Sequence, residues 1–116
     1  MTRRDDLQIR QGEDWPTADS PGTWPVLDAS NQPLALVGYS AQAQIRDPYD
    51  GTLLHEWTTG TDMTLSAGQI ALEVPAATST EWAWTFGRWS LELTTPAGTV
   101  IRLVEGAVLV DAETTV

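Results

Sequence analysis

The sequence predicts an all-β domain, a sandwich or barrel of short antiparallel strands, from three observations. Turn residues are dense and regular: Gly12, Pro16, Pro21-Gly22, Pro25, Gly38, Asp47-Pro48, Asp50-Gly51, Gly60, Gly68, Pro75, Gly87, Pro96, Gly98 and Gly106. They recur about every ten residues, the spacing of short strands in all-β folds. Between them the apolar residues alternate with period two, which puts one face of a strand in the core and one in water. The 116 residues fit one domain, 1–116, large enough to bury a core without covalent staples.

Residues 1–6 form an N-terminal arm in which Arg3 and Arg4 stand side by side. Such termini are commonly frayed and solvated; in a self-assembling protein the arm would dock on an acidic neighbour. Leu7-Gln8-Ile9 reads as a short strand. Residues 16–33 hold four prolines, Pro16, Pro21, Pro25 and Pro33, and little periodicity. This Pro-rich loop is either ordered or a mobile excursion, and loops of that length are usually functional or disordered. Tyr39, Ala41, Ala43 and Ile45 then share one strand face and Ser40, Gln42, Gln44 and Arg46 the other. Asp47-Pro48-Tyr49-Asp50-Gly51 makes a turn, because Pro48 presets φ and Gly51 accepts an unusual one.

Thr52 to Thr59 returns as a strand with Leu53, His55 and Trp57 expected inward. Met63-Thr64-Leu65 turns at Ala67-Gly68 into a strand with Ile70, Leu72 and Val74 inward. Pro75 breaks the alternation, and Ala76 to Trp82 reads as one helical turn that contains Glu81 and crosses between sheets. Trp89, Leu91 and Leu93 point inward in the next strand. A hairpin loop over 94–98 places Leu91 opposite Ile101 and Trp89 opposite Leu103, the simple register in which both faces agree. Glu105-Gly106 reads as a bulge, followed by a last strand segment, Ala107 to Val110.

Composition narrows the function. The chain has no cysteine, which excludes disulfide scaffolds, thiolate zinc sites and cysteine nucleophiles. Sixteen acidic residues against six arginines give a net charge of −10. A surface so charged repels phosphate backbones and anionic lipid, so neither nucleic acid nor membrane is an expected partner, and a basic or neutral protein is. No apolar run reaches the ~20 residues of a membrane-spanning helix. No apolar stretch follows the charged start, so no signal peptide is expected.

No residue set meets the requirements of catalysis, a cofactor or a metal. His55 is the single histidine. It lies mid-strand, without a second nitrogen ligand, and no Gly-x-Ser-x-Gly elbow supplies a nucleophile for it. Asp47 and Asp50 offer two carboxylates where calcium takes about six to eight oxygens. Glu81 and Glu92 are a carboxylate pair of the kind any acidic chain contains. The six tryptophans are more informative. Trp57 and Trp89 are core by alternation, whereas Trp15, Trp24, Trp82 and Trp84 fall in irregular segments. Those four either fold back over the ends of the sandwich or form a protein interface, together with Arg3 and Arg4; a third use is stacking of host sugar rings.

Three stretches resemble a known family: Asp6-Leu7-Gln8-Ile9-Arg10-Gln11-Gly12-Glu13-Asp14-Trp15, Leu36 to Asp47 (Leu-Val-Gly-Tyr-Ser-Ala-Gln-Ala-Gln-Ile-Arg-Asp), and Trp89 through Gly106. They are similar to small virion proteins of tailed phages and to the N-terminal domain of upper baseplate proteins that hold receptor-binding proteins. The resemblance implies an immunoglobulin-like antiparallel β-sandwich of about seven or eight short strands with one short helical crossover. It also implies a structural role in the virion, made in the host cytoplasm and present in symmetric copies bound to other virion proteins, at the tail, baseplate or a fibre attachment. Because the sequence ends at Val116, without the extension of the larger baseplate proteins, a capsid decoration or accessory subunit is an equal expectation.

Overall fold

The computed structural model describes residues 3–17, 20–60 and 62–112. Met1 and Thr2 of the arm and Ala18 and Asp19 of the Pro-rich loop lie outside them. The described elements are β1 (Arg3–Arg4), β2 (Leu7–Arg10), β3 (Thr23–Pro25), β4 (Ser40–Arg46), β5 (Leu53–Thr58), β6 (Met63–Ser66), β7 (Gln69–Leu72), α1 (Ala76–Ser79), β8 (Phe86–Thr94) and β9 (Val100–Asp111). They form two packed sheets. The larger runs β1-β9-β8-β4-β5, with β2 also on β9, and the smaller runs β3-β7-β6.

Alternation builds the core as expected. Ala41, Ala43 and Ile45 of β4, Trp89, Leu91 and Leu93 of β8, and Ile70 and Leu72 of β7 are all buried. Their polar neighbours in sequence point to water, so each strand is amphipathic with period two. The turn after β4 closes with Gly51 N–H donating to the Asp47 carbonyl at 3.0 Å and Asp47 N–H to Thr52 O at 2.8 Å. Ala67-Gly68 joins β6 to β7, and Gly68 takes φ +77° there, a region open to glycine. The helical crossover is α1, one turn long, with Pro75 at its N-cap. Glu81 falls in the turn after it rather than inside it.

Several local expectations are corrected. The N-terminal arm is not frayed over its described part. Arg3 and Arg4 pair with Val104 and Glu105, and Leu7 to Arg10 with Val108 to Asp111, in both cases parallel. The larger sheet is therefore mixed. The Pro-rich loop contains β3, an edge strand on β7 with Pro25 opposite Gln69. Proline suits an edge because the amide it lacks has no ladder to serve there.

On β5, Ile45 opposes His55 but Arg46 opposes Leu53, so Leu54 is an extra residue. This bulge turns Leu53 outward beside Arg46, whereas Trp57 stays buried. The β8–β9 hairpin is also out of the expected register. Leu93 opposes Ile101, Leu91 opposes Val104 and Trp89 opposes Gly106. Leu103 is the extra residue, and it re-phases β9 so that Val104, Val108 and Val110 face the core.

Glu105-Gly106 is regular ladder instead of bulge. Glycine is needed at 106 because the backbone of Asp5 passes directly over it; a Cβ there would strike the Asp5 carbonyl. Gly106→Ala is therefore expected to push the N-terminal strands off β9 and cost about 1–3 kcal/mol by overpacking. Urea unfolding will read the loss, and faster hydrogen exchange at the Asp5 amide, which donates to Glu105 O at 3.0 Å, will locate it.

Candidate functional site

The six residues expected at an interface separate into three groups. Trp15 and Trp24 are core, with 2% and 4% of their surface exposed. They offer nothing for a partner to touch. The Trp15 ring packs 6.4 Å from Trp57 and 6.5 Å from Trp24, and Trp24 lies 4.9 Å from Trp89. Each indole N–H is used: Trp15 donates to Ser20 Oγ at 3.0 Å, Trp24 to Asp5 Oδ2 at 2.7 Å, Trp57 to Glu73 O at 2.8 Å and Trp89 to Asp5 O at 2.7 Å. Trp15 finds its acceptor five residues on, within the same Pro-rich segment, whereas that of Trp24 comes from the N-terminal arm, which nothing local to residue 24 announces.

Arg3 and Arg4 are exposed but internally paired, Arg3 with Asp5 at 2.9 Å and Arg4 with Asp6 at 3.4 Å. Exposed pairs of this kind contribute little to stability. Trp82 and Trp84 follow α1 and are half-buried against the core. Their rings face each other at 4.6 Å with 30° between planes. Trp82 also meets His55 at 5.2 Å, and His55 stands edge-on to Trp57 at 4.6 Å. Gln11 fastens this corner by donating to Trp82 O at 2.8 Å and Thr80 O at 3.2 Å. The two rings therefore do not form an open coplanar platform.

His55 Nε2 and Trp84 Nε1 are buried without a hydrogen-bond partner among the described residues. Burial disfavours the imidazolium and lowers the pKa of His55 below its ordinary 6.5, against an opposing pull from Asp62 and Glu56. No group of three or more metal-ligating side chains occurs among the described residues. None of their helices is long and apolar enough to cross a membrane.

The outer face of the larger sheet carries what remains. Gln42 and Gln44 both donate to Glu56 Oε2, at 2.8 and 2.7 Å. Arg46 donates to Gln44 Oε1 at 3.1 Å and Gly51 O at 2.8 Å, and lies directly opposite Arg88. A shallow groove of about 160 Å³ runs between Arg46, Arg88 and Arg102. Beyond Arg88 on β8, Phe86 opposes Leu109 of β9, with 42% and 50% of their surface exposed. Alternation placed Gln42, Gln44 and Arg46 outward but assigned no face to Phe86, Arg88, Arg102 or Leu109. Their grouping follows from register, which the sequence reading had displaced on β9.

These ladders define the class. If β3, β4, β5, β6, β7, β8 and β9 are lettered B, C, C′, D, E, F and G, the sheets read GFCC′ and BED. That is the strand order of an immunoglobulin-like sandwich with the C′ strand of variable-type domains. The usual disulfide between B and F is absent. Trp24 of β3 and Trp89 of β8 stack across the sheets instead. No family model and no curated protein matches the chain. Among solved structures it is similar to extracellular domains 3–5 of Drosophila OTK, at 18% identity and a TM-score of 0.37, over 90% of this chain and 32% of that one. The chain thus spans about a third of that structure.

Two substitutions test the site's electrostatics. Asp5→Ala leaves the Trp24 indole N–H without its acceptor and is expected to cost about 1–3 kcal/mol in urea unfolding; Asp5→Asn, which keeps an oxygen in place, should cost less. For His55 the folded pKa lies below the unfolded one. Its neutral ring thus supports folding fully above pH 6.5, and that support is lost as pH falls through the folded value. His55→Phe should accordingly unfold with a weaker pH dependence than the parent between about pH 7 and 5. A proton NMR titration should put the His55 midpoint below 6.5.

Proposed function

We propose that this chain is a non-catalytic structural subunit of a tailed-phage particle, one that docks on a larger tail, baseplate or fibre-attachment assembly through protein contacts. The three stretches that resemble phage virion proteins support the reading. They fall on β2, on β4 and on the β8–β9 hairpin, all in the larger sheet. The observation that carries the docking half is that sheet's open edge. β5 pairs with β4 on one side and has no strand on its other side among the described residues. An edge of this kind presents a row of main-chain donors and acceptors to which a neighbour's strand can add. Symmetric repetition of such contacts gives avidity without a large single interface.

Purified particles are expected to contain the polypeptide in stoichiometric, symmetric copies, measured by mass spectrometry and particle reconstruction. Its absence from purified particles would overturn the reading. The position of its density separates a tail subunit from a capsid decoration.

A further inference from the structure

Arginine is scarce on this chain, and acids are not. Of the six arginines, Arg3, Arg4 and Arg102 each meet a carboxylate, Arg102 reaching Glu92 at 3.6 Å and Glu105 at 3.4 Å. Arg46 meets neutral acceptors, the Gln44 amide and the Gly51 carbonyl. Arg88 has no ion pair or side-chain hydrogen bond among the described residues, nor does Arg10, away on β2. Arg46 and Arg88 are nevertheless direct cross-strand neighbours. Like charges placed opposite each other on a sheet are destabilising. The acids of this face do not relieve them: Glu56 is held by two glutamine amides and Glu92 and Glu105 by Arg102.

We propose that this groove is a docking site for an acidic segment of another protein, with a carboxylate seated between Arg46 and Arg88 and an apolar side chain on Phe86 and Leu109. The inference deepens the docking reading above and rests on it. The groove is lined by Arg46, Arg88 and Arg102 together with Ser90 and Glu105; Glu105 and Glu92 engage Arg102, which leaves the guanidiniums of Arg46 and Arg88 without a carboxylate among the described residues. A guanidinium binds a carboxylate through parallel N–H bonds, the strongest polar contact available to it. Arg88 and Phe86 are two residues apart on one strand, so they lie on the same face at the spacing of alternate residues. An extended segment with an acidic and an apolar residue two positions apart matches both. Chain charge selects protein over nucleic acid. At −10 the molecule repels a long polyanion, whereas one or two carboxylates feel the local arginines within a Debye length.

The probe is a synthetic peptide of alternating glutamate and leucine, with an alternating lysine–leucine peptide and a single-stranded oligonucleotide as controls. Against the full chain, the acidic peptide should shift the amide resonances of Arg46, Arg88 and Ser90, and its binding should weaken as salt rises. Arg88→Glu should weaken it about tenfold. Arg88→Gln should also weaken it, while leaving the thermal midpoint of the isolated chain unchanged or higher, because it removes a repulsion. A lower midpoint for Arg88→Gln would make Arg88 a structural residue and overturn the proposal. So would equal shifts of the groove resonances by the lysine peptide, absence of shifts there with the acidic peptide, or preferential binding of the oligonucleotide there. Failure here with the chain present in purified particles removes this face and leaves the virion reading standing. Peptide binding by a chain absent from particles does the reverse.

Discussion

Everything in this fold depends on four tryptophans that join the two sheets. Trp57 and Trp89 come from the larger sheet, Trp24 from the smaller, and Trp15 from the segment that pairs with Val74 beyond β7. Tilted aromatic contacts of this kind are worth about 0.5–1.5 kcal/mol each beyond their buried area. The stronger constraint is polar. An indole N–H buried without an acceptor costs about 1–3 kcal/mol, so each of the four has to be met by a particular oxygen. A domain without cysteine thus obtains between β3 and β8 the cross-sheet link that a disulfide supplies in many sandwiches of this order.

The same requirement explains the N-terminal strands. Asp5 accepts two of the four indole protons, one on its carboxylate and one on its carbonyl. It can do so only by lying across β9, and Gly106 leaves the space. Ser20 works in parallel, accepting from Trp15 and from the Gln8 backbone N–H at 3.1 Å. The N-terminus is thereby held on the β9 side by the core itself. On that side the larger sheet ends in the parallel strands β1 and β2, and on the other it ends in β5, which has no further strand beside it among the described residues.

The core and the outer face of the larger sheet treat their polar groups differently. At the far corner the aromatic chain runs on from Trp57 through His55 to Trp82 and Trp84, and there its polar atoms run out of partners. On the outer face of the same sheet the acids are met by Gln42, Gln44 and Arg102, while Arg46 meets only neutral acceptors and Arg88 has no ion pair among the described residues. The core demands fixed donor–acceptor pairs, whereas the outer face holds two adjacent arginines without a carboxylate partner among the described residues.

The sequence by itself determined the longer strands and, on β4, β7 and β8, which face is dry, because period-two alternation and turn chemistry are local properties; β1 and β3, too short for a period, it did not show. It therefore specified the core faces of β4, β7 and β8, the turn at 47–51 and the crossover after Pro75. Only the tertiary structure decided the bulges at Leu54 and Leu103, the parallel pairing of β1 and β2, and the fate of Trp15 and Trp24. The burial of Trp15 and Trp24 and the N-terminal pairing depend on what a distant segment brings: Asp5 to Trp24, Val74 to Trp15, β9 to β1 and β2. A bulge moves a whole strand by one residue at little local cost, and no short-range pattern records it. The opposition of Arg46 and Arg88 is a product of register between β4 and β8, so the candidate docking groove exists in the fold and not in any stretch of the chain.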